Sequence, residues 1–247
     1  MIRKDPSSFS YFEILDACRE PNCPVCSLGH AAARRNLKTL IYEGVNDYGL
    51  RAKLRESLGY CHEHAWLLPE AGESAALGIA IVHRDLLNSV RERLENIKYD
   101  KVQKRKFRSV VAEAISPNEG TAREFNSARY ISATAPCPAC KNRDKMEELA
   151  LKSIIDALEK RDEQMLAALN SSDGLCLPHL RQALESVRSA QAFDTLVTLS
   201  RDQLSALIQE LDEFIRKNDH RFRNEKILER ERESWQRALQ RVVGPRN

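Results

Sequence analysis

At 247 residues with 42% hydrophobic positions, the chain can bury one large core or two ordinary ones, so any metal site supplements packing rather than replacing it. Aromatics at 6%, with nine glycines and nine prolines, suit a mostly helical protein. A formal net charge of +3 is too small to argue for a polyanion partner, and no apolar run approaches the roughly 20 residues that span a bilayer.

The N-terminus, Met1 to Ser10, is polar and lacks the apolar stretch of a secretory signal. The expected compartment is a reducing cytoplasm, where paired cysteines hold metal more often than they form disulfides; an odd count of seven also fits a disulfide framework poorly. Cys18, after Tyr11-Phe12-Glu13-Ile14-Leu15, reads as a buried apolar cysteine. The sharper alternative is a resolving thiol for the set that follows.

That set opens with Cys23-Pro24-Val25-Cys26 at the start of a helix of roughly four turns. A break follows near Gly44 to Asp47. A shorter helix then returns to Gly59, a C-cap, and Cys61-His62-Glu63-His64 opens the next helix. A two-residue gap lets both sulfurs of Cys-x-x-Cys reach one ion, and Cys-x-x-His closes a tetrahedron. The segment between them is read as a helical hairpin that carries the chain out and back to the same ion. A long amphipathic helix follows, with Ala80, His83, Leu87, Val90, Leu94 and Ile97 on one stripe. His83 reads as a hydrogen-bonded core side chain rather than a ligand.

Lys98 to Arg108 holds six basic residues against Asp100 alone, and Ser116 to Pro136 has the composition of a linker or loop. Beyond it the pattern recurs. Cys137-Pro138-Ala139-Cys140 is followed by a break at Lys160 to Asp162, then Gly174, then Cys176-Leu177-Pro178-His179. Leu37, Leu40 and Ile41 align with Leu151, Ile154 and Ile155, and Leu50 and Leu54 with Met165 and Leu169. Periods of this kind mark a repeated supersecondary unit. Position 177 is leucine, so the second copy selects His64 over His62 as a ligand. His62 is left as a surface side chain, with an outer-shell place or exchange with His64 as the alternative.

Phe193, Val197, Leu204, Leu207, Ile208, Leu211 and Ile215 form the second long stripe. Its near-heptad spacing matches the first, so the two long helices are expected to pack along each other and join the halves, or to meet a second chain. Arg84-Asp85 and Arg201-Asp202 fall at matching places. Their carboxylates either orient a liganding imidazole or belong to a solvated face. Arg216 to Asn247 carries ten basic and five acidic residues, with Ile227, Leu228, Trp235, Leu239 and Val242 at helical spacing, and reads as a final amphipathic helix.

The fold expected is all-α. Residues 8–115 make a first metal-binding helical unit, 116–136 a linker, 137–217 a second metal-binding unit, and 218–247 a C-terminal amphipathic helix. Candidate ligands are Cys23, Cys26, Cys61, His64, Cys137, Cys140, Cys176 and His179, holding two zinc ions as Cys3His sites. Four protein ligands leave no open position for a catalytic water, and no phosphate loop, nucleophile elbow or dinucleotide fingerprint accompanies them. Cys-Pro-x-Cys leading a helix, with Gly59-Tyr60-Cys61-His62-Glu63-His64 and then Ala65-Trp66, resembles an uncharacterised family of bacterial helical proteins in which the pattern occurs twice. The likeness covers most of residues 8–217, departs at Leu175, where the first copy has Tyr60, and implies no activity.

The expected role is a non-enzymatic zinc-binding scaffold that presents a surface to a protein partner, with oligomeric state left open. One alternative is an iron–sulfur or thiol redox sensor. The other is nucleic-acid binding through the basic stretches, which is not favoured because the tail interleaves glutamates and lacks an aromatic stacking strip.

Overall fold

The computed structural model of the chain describes residues 11–71, 75–97, 128–222 and 224–246. Among them there are ten α-helices and no strand. The basic stretch 98–108 and most of the expected linker, 116–127, lie outside the described residues. Two compact units emerge, Met1–Asn36 with Ala139–Asn247, and Leu37–Pro138. These units do not coincide with the repeats: residues of the 8–115 segment contribute to both.

The first unit contains α1 (Tyr11–Ala17) and the start of α2 (Pro24–Tyr42), then α6 (Pro138–Glu159), α7 (Glu163–Ser171), α8 (Leu177–Ser186), α9 (Ala190–Lys217) and α10 (Glu229–Val243). Pro24 and Pro138 open α2 and α6, at the position where a missing N–H breaks no helical bond. Ile14, Val25, Ile154, Met165, Leu169 and Leu196 form the centre of its core. The Tyr11 hydroxyl donates to Asp162 Oδ1 at 2.7 Å, while Asp162 accepts from the Met165 N–H as the N-cap of α7. One carboxylate thereby ends the α6–α7 turn and pins α1 to it.

The second unit contains the end of α2 with α3 (Tyr48–Glu56), α4 (His62–Trp66) and α5 (Ala75–Glu95). Asp47 caps α3 by accepting from the Leu50 N–H at 2.7 Å. α5 packs on α3 through Val82, Leu86 and Leu54, with Arg55 paired to Asp85 at 2.6 Å. Gly78 allows α5 to approach the end of α2, since a Cβ there would meet the Ile41 carbonyl at 3.1 Å.

The long helices bury other faces than the stripes read from sequence. α5 buries Ala75, Gly78, Val82 and Leu86, and α9 buries Ala192, Leu196 and Ser200, leaving Leu87, Leu94, Ile208 and Ile215 exposed. α10 is a fuller inversion. Its buried residues are Glu231, Ser234 and Arg241, while Leu228, Trp235, Leu239 and Val242 face outward. It docks on α9 and α8 by a polar face because the surface it meets is ionic. Lys217 Nζ lies 2.6 Å from Glu231 Oε1, Arg230 pairs with Glu210 at 2.9 Å, and Arg237 pairs with Glu210. Charged groups as withdrawn from water as Lys217 and Glu231 are retained only when paired.

Candidate metal centres

Each Cys-x-x-His is built by the same local device. Gly59 and Gly174 adopt φ of +92° and +79°, a region that favours glycine, and turn the chain at the end of α3 and α7. Cys61 and Cys176 then become the N-caps of α4 and α8, with extended backbone at ψ 167° and 159°. Three residues on, the histidine stands in the first helical turn beside the capping thiol. Sγ to Nδ1 is 3.2 Å in both copies. The Cys-x-x-Cys pairs likewise open α2 and α6. Free backbone N–H groups and the helix dipole favour thiolate at such positions.

The half-sites then combine across the copies rather than within them. Cys23 and Cys26 meet Cys176 and His179 (centre A), and Cys61 and His64 meet Cys137 and Cys140 (centre B), the ligand atoms of each set all lying within 4.8 Å of one another. The expectation that each hairpin returns to its own ion is thus corrected. Helix length supplies the reason. From Cys26 to the end of α2 the chain advances ~24 Å, and the nine residues of α3 return only ~13 Å at 1.5 Å per residue. In the second copy, α6 carries the chain ~28 Å beyond Cys140 and α7 again returns ~13 Å. The turn after α3 is closed by Gly59 N–H to the Leu54 carbonyl at 2.7 Å, so it adds no reach.

Centre A is buried at all four residues. Cys26 Sγ lies 3.7 Å from Cys176 Sγ, and His179 Nδ1 lies 3.3 Å from Cys26 Sγ and 3.6 Å from Cys23 Sγ. The other face of the imidazole meets Glu147, with Oε2 3.6 Å from Nε2. Gly29 on α2 makes room for that carboxylate, because a Cβ there would fall 2.5 Å from Oε1. Asn22 joins the two half-sites by donating its N–H to Asp173 Oδ2 at 3.2 Å. Hydrogen bonds from the Cys176 and Cys26 thiols hold Cys23 well below the usual thiol range, whereas those same contacts with Cys176 and Cys23 push Cys26 up. Burial works against His179, but hydrogen bonds to Cys176, Cys23 and Glu147 carry its pKa to about 11. Cys18 lies in the adjoining core, and burial, then the charge of Cys23, raises its pKa to about 11. It is an inert packing thiol of the kind read from sequence.

In centre B, Cys137 Sγ lies 3.8 Å from His64 Nδ1, and His64 and Cys137 are buried while Cys61 and Cys140 are half-exposed. The half-buried Tyr60 ring lies close enough that burial and then the charge of Cys137 raise its pKa. His62 is exposed and edge-on to Trp66, outside the set. His83 Nδ1 donates to the Ile79 carbonyl within its own helix, 2.8 Å away. The repeated Arg-Asp pairs do not reach the imidazoles: Asp85 pairs with Arg55, and Asp202 lies exposed beside Arg201. Glu147 is a carboxylate that faces a candidate ligand, and Arg241 of α10 lies beside the cysteines of centre A. Neither has a counterpart in the repeat: Glu147 aligns with Ala33, and Arg241 lies beyond both copies. Both sets could hold a metal ion.

The profile of DUF6062, described as a family of unknown function, matches residues 9–247. The chain belongs to that family. It is also similar to an uncharacterized 23.9 kDa protein in the xynA 3′ region of Caldicellulosiruptor sp. (strain Rt8B.4), 24% identical over 231 residues that cover 94% of this chain and 99% of the relative. The match therefore runs across the whole duplicated chain rather than one copy. No solved structure matches it. Among the described residues no helix is long and apolar enough to cross a membrane.

Proposed function

We propose that the protein is a zinc-binding helical scaffold, with one structural zinc at each Cys3His centre and a surface offered to a protein partner. The observation that carries this reading is the exchange of half-sites. Contacts at centre A link residues 150 positions apart, so an ion there would tie the start of α2 to the start of α8. Such an ion acts on the fold, and its binding energy becomes folding energy.

Donor chemistry and spacing support zinc. A tetrahedron drawn with zinc–sulfur bonds near 2.3 Å and zinc–nitrogen bonds near 2.0 Å has edges of ~3.5–3.8 Å. Four of the ligand separations at centre A run from 3.2 to 3.7 Å and all lie within 4.8 Å, which suits four ligands around one ion. An iron–sulfur cluster distributes its ligands over several irons and needs wider spacing. Four protein ligands also leave no vacancy for substrate, which favours a structural role. The basic tail gives little support to nucleic-acid binding, since Arg216, Arg221, Arg230 and Arg237 are each committed to a carboxylate.

Elemental analysis of protein purified without chelator tests the proposal. Two zinc ions per chain and a colourless solution are expected. Visible absorbance with stoichiometric iron would replace zinc by a cluster, and absence of any transition metal would end the metal reading altogether.

A further inference from the structure

A divalent ion bound by three thiolates and a neutral imidazole carries a net charge of −1, which is unfavourable in a buried site unless something offsets it. Around centre A, Glu147 adds a further negative charge on the imidazole side, and Arg143 stands 3.9 Å from it. On the sulfur side the only described cation as deeply buried is Arg241, 5% exposed, at the end of α10. It lines, with Cys23, Cys176, Asp173 and Gln203, a cavity of about 280 Å³ beside the centre.

The seat for this guanidinium is specific. Nη1 donates to the Asp173 carbonyl at 3.0 Å and Nη2 to Gln203 Oε1 at 3.3 Å, while Gln203 Nε2 donates to the Leu169 carbonyl at 2.7 Å. All of these belong to the turn that delivers Cys176, or to the side chain packed on it. In the first copy the position matching Gln203 is Leu86, which approaches Gly59 with a methyl group and offers no acceptor. The repeat has thus been altered at this turn, where α10 docks. Three residues beyond Arg241, Gly244 adopts φ +86°, and a Cβ built on it would lie 3.4 Å from Cys26 Sγ and 4.0 Å from Cys176 Sγ. The end of α10 therefore lies directly on the ligand sulfurs.

We propose that Arg241 is the charge-compensating residue of centre A, matching it to a divalent ion held by three thiolates, and that α10 docks more firmly when the ion is bound. The inference rests on reading that set as a metal centre. Burial alone lowers the pKa of Arg241, and the charges of Cys23 and Cys176 act in the opposite direction, in keeping with attraction to the sulfurs. Because coupling between two binding events is reciprocal, a variant that unseats the helix weakens the ion by the factor by which the ion secures the helix.

The test uses the full chain in a Cys61→Ser background, so that only centre A is read. Zinc affinity is measured by competition with a chromophoric chelator, and helix content by circular dichroism. Arg241→Met, which keeps an unbranched apolar stem and removes the charge, is expected to weaken zinc about 10- to 100-fold, the range seen for residues that support metal ligands. Arg241→Lys should recover much of the loss, and Gln203→Leu should weaken zinc without altering any ligand or charge. In the protein with native residues, zinc removal should expose the bond after Lys226 to trypsin. Equal affinity of Arg241→Met and its parent overturns the proposal, as does equal weakening by Met and Lys, which would make the effect one of packing. Should Arg241→Met not fold, Gln203→Leu and the trypsin assay decide: unchanged affinity together with unchanged cleavage overturns it. If the parent itself binds no zinc, the scaffold reading and this one fall together, an outcome distinct from a parent that binds zinc and ignores position 241.

Discussion

Exchange of half-sites can be tested with pairs of serine substitutions. Cys26→Ser removes a ligand of centre A and should leave one ion per chain. Adding Cys176→Ser strikes the same centre and should still leave one, whereas adding Cys61→Ser strikes the other and should leave none. Closure within each repeat predicts the reverse. The stability change follows from loop length. Treated as a cross-link, an ion joining residues 150 positions apart limits the denatured chain by ~5 kcal/mol, against ~4 kcal/mol for the 35 positions between Cys26 and Cys61. At 2–4 °C per kcal/mol for a chain of this size, loss of centre A should lower Tm by ~10–20 °C. Native mass spectrometry counts the ions and calorimetry gives Tm. One ion retained by Cys26→Ser/Cys61→Ser, with none in Cys26→Ser/Cys176→Ser, would refute the reasoning.

Other expectations follow from single positions. Leu239→Ser, on the outward stripe of α10, should change stability by no more than about 0.5 kcal/mol in urea titration, although a buried amphipathic helix would lose several times that. Gly174→Ala should destabilise by about 1–3 kcal/mol, because φ is +79° and the new Cβ would run into Gln203 and Arg241. Tyr11→Phe should lower Tm near neutral pH. Asp162, whose pKa is depressed chiefly by the Met165 N–H and then by Tyr11, contributes stability above its unfolded value of 3.8 and loses it as pH falls through its folded value. Tyr11, raised to about 12 by its bond to Asp162, contributes fully below pH 10 and loses its contribution as pH rises through about 12. The gap between Tyr11→Phe and its parent should therefore close at both extremes, and a gap independent of pH would assign the effect to packing.

Much of the site was legible in the chain because it is set by local rules. Cys-Pro-x-Cys at a helix start, glycine before Cys-x-x-His, and the apolar positions shared by the copies each depend on a few neighbouring residues. Leu37, Leu40 and Ile41 are buried, as are Leu151, Ile154 and Ile155. The choice of His64 over His62 likewise needed only alignment of the copies, and His62 lies exposed. Periodicity was less informative for α10, whose helix was expected but whose apolar stripe faces solvent. Hydrophobic spacing tells which residues share a face, and the partner decides which face is buried.

The sequence by itself determined an all-helical chain, its duplication, and two sets of half-sites with three thiolates and one imidazole in each. Which half joined which was beyond it, because either pairing satisfies the ligand chemistry equally. Tertiary structure decided that question through the mismatch between long outgoing and short returning helices. It also brought to centre A Glu147, where the other copy has Ala33, and Arg241 and Gly244, which lie beyond both copies. Ligand identity is written in short spacings, whereas the charges around the ligands come from contacts far apart in the chain.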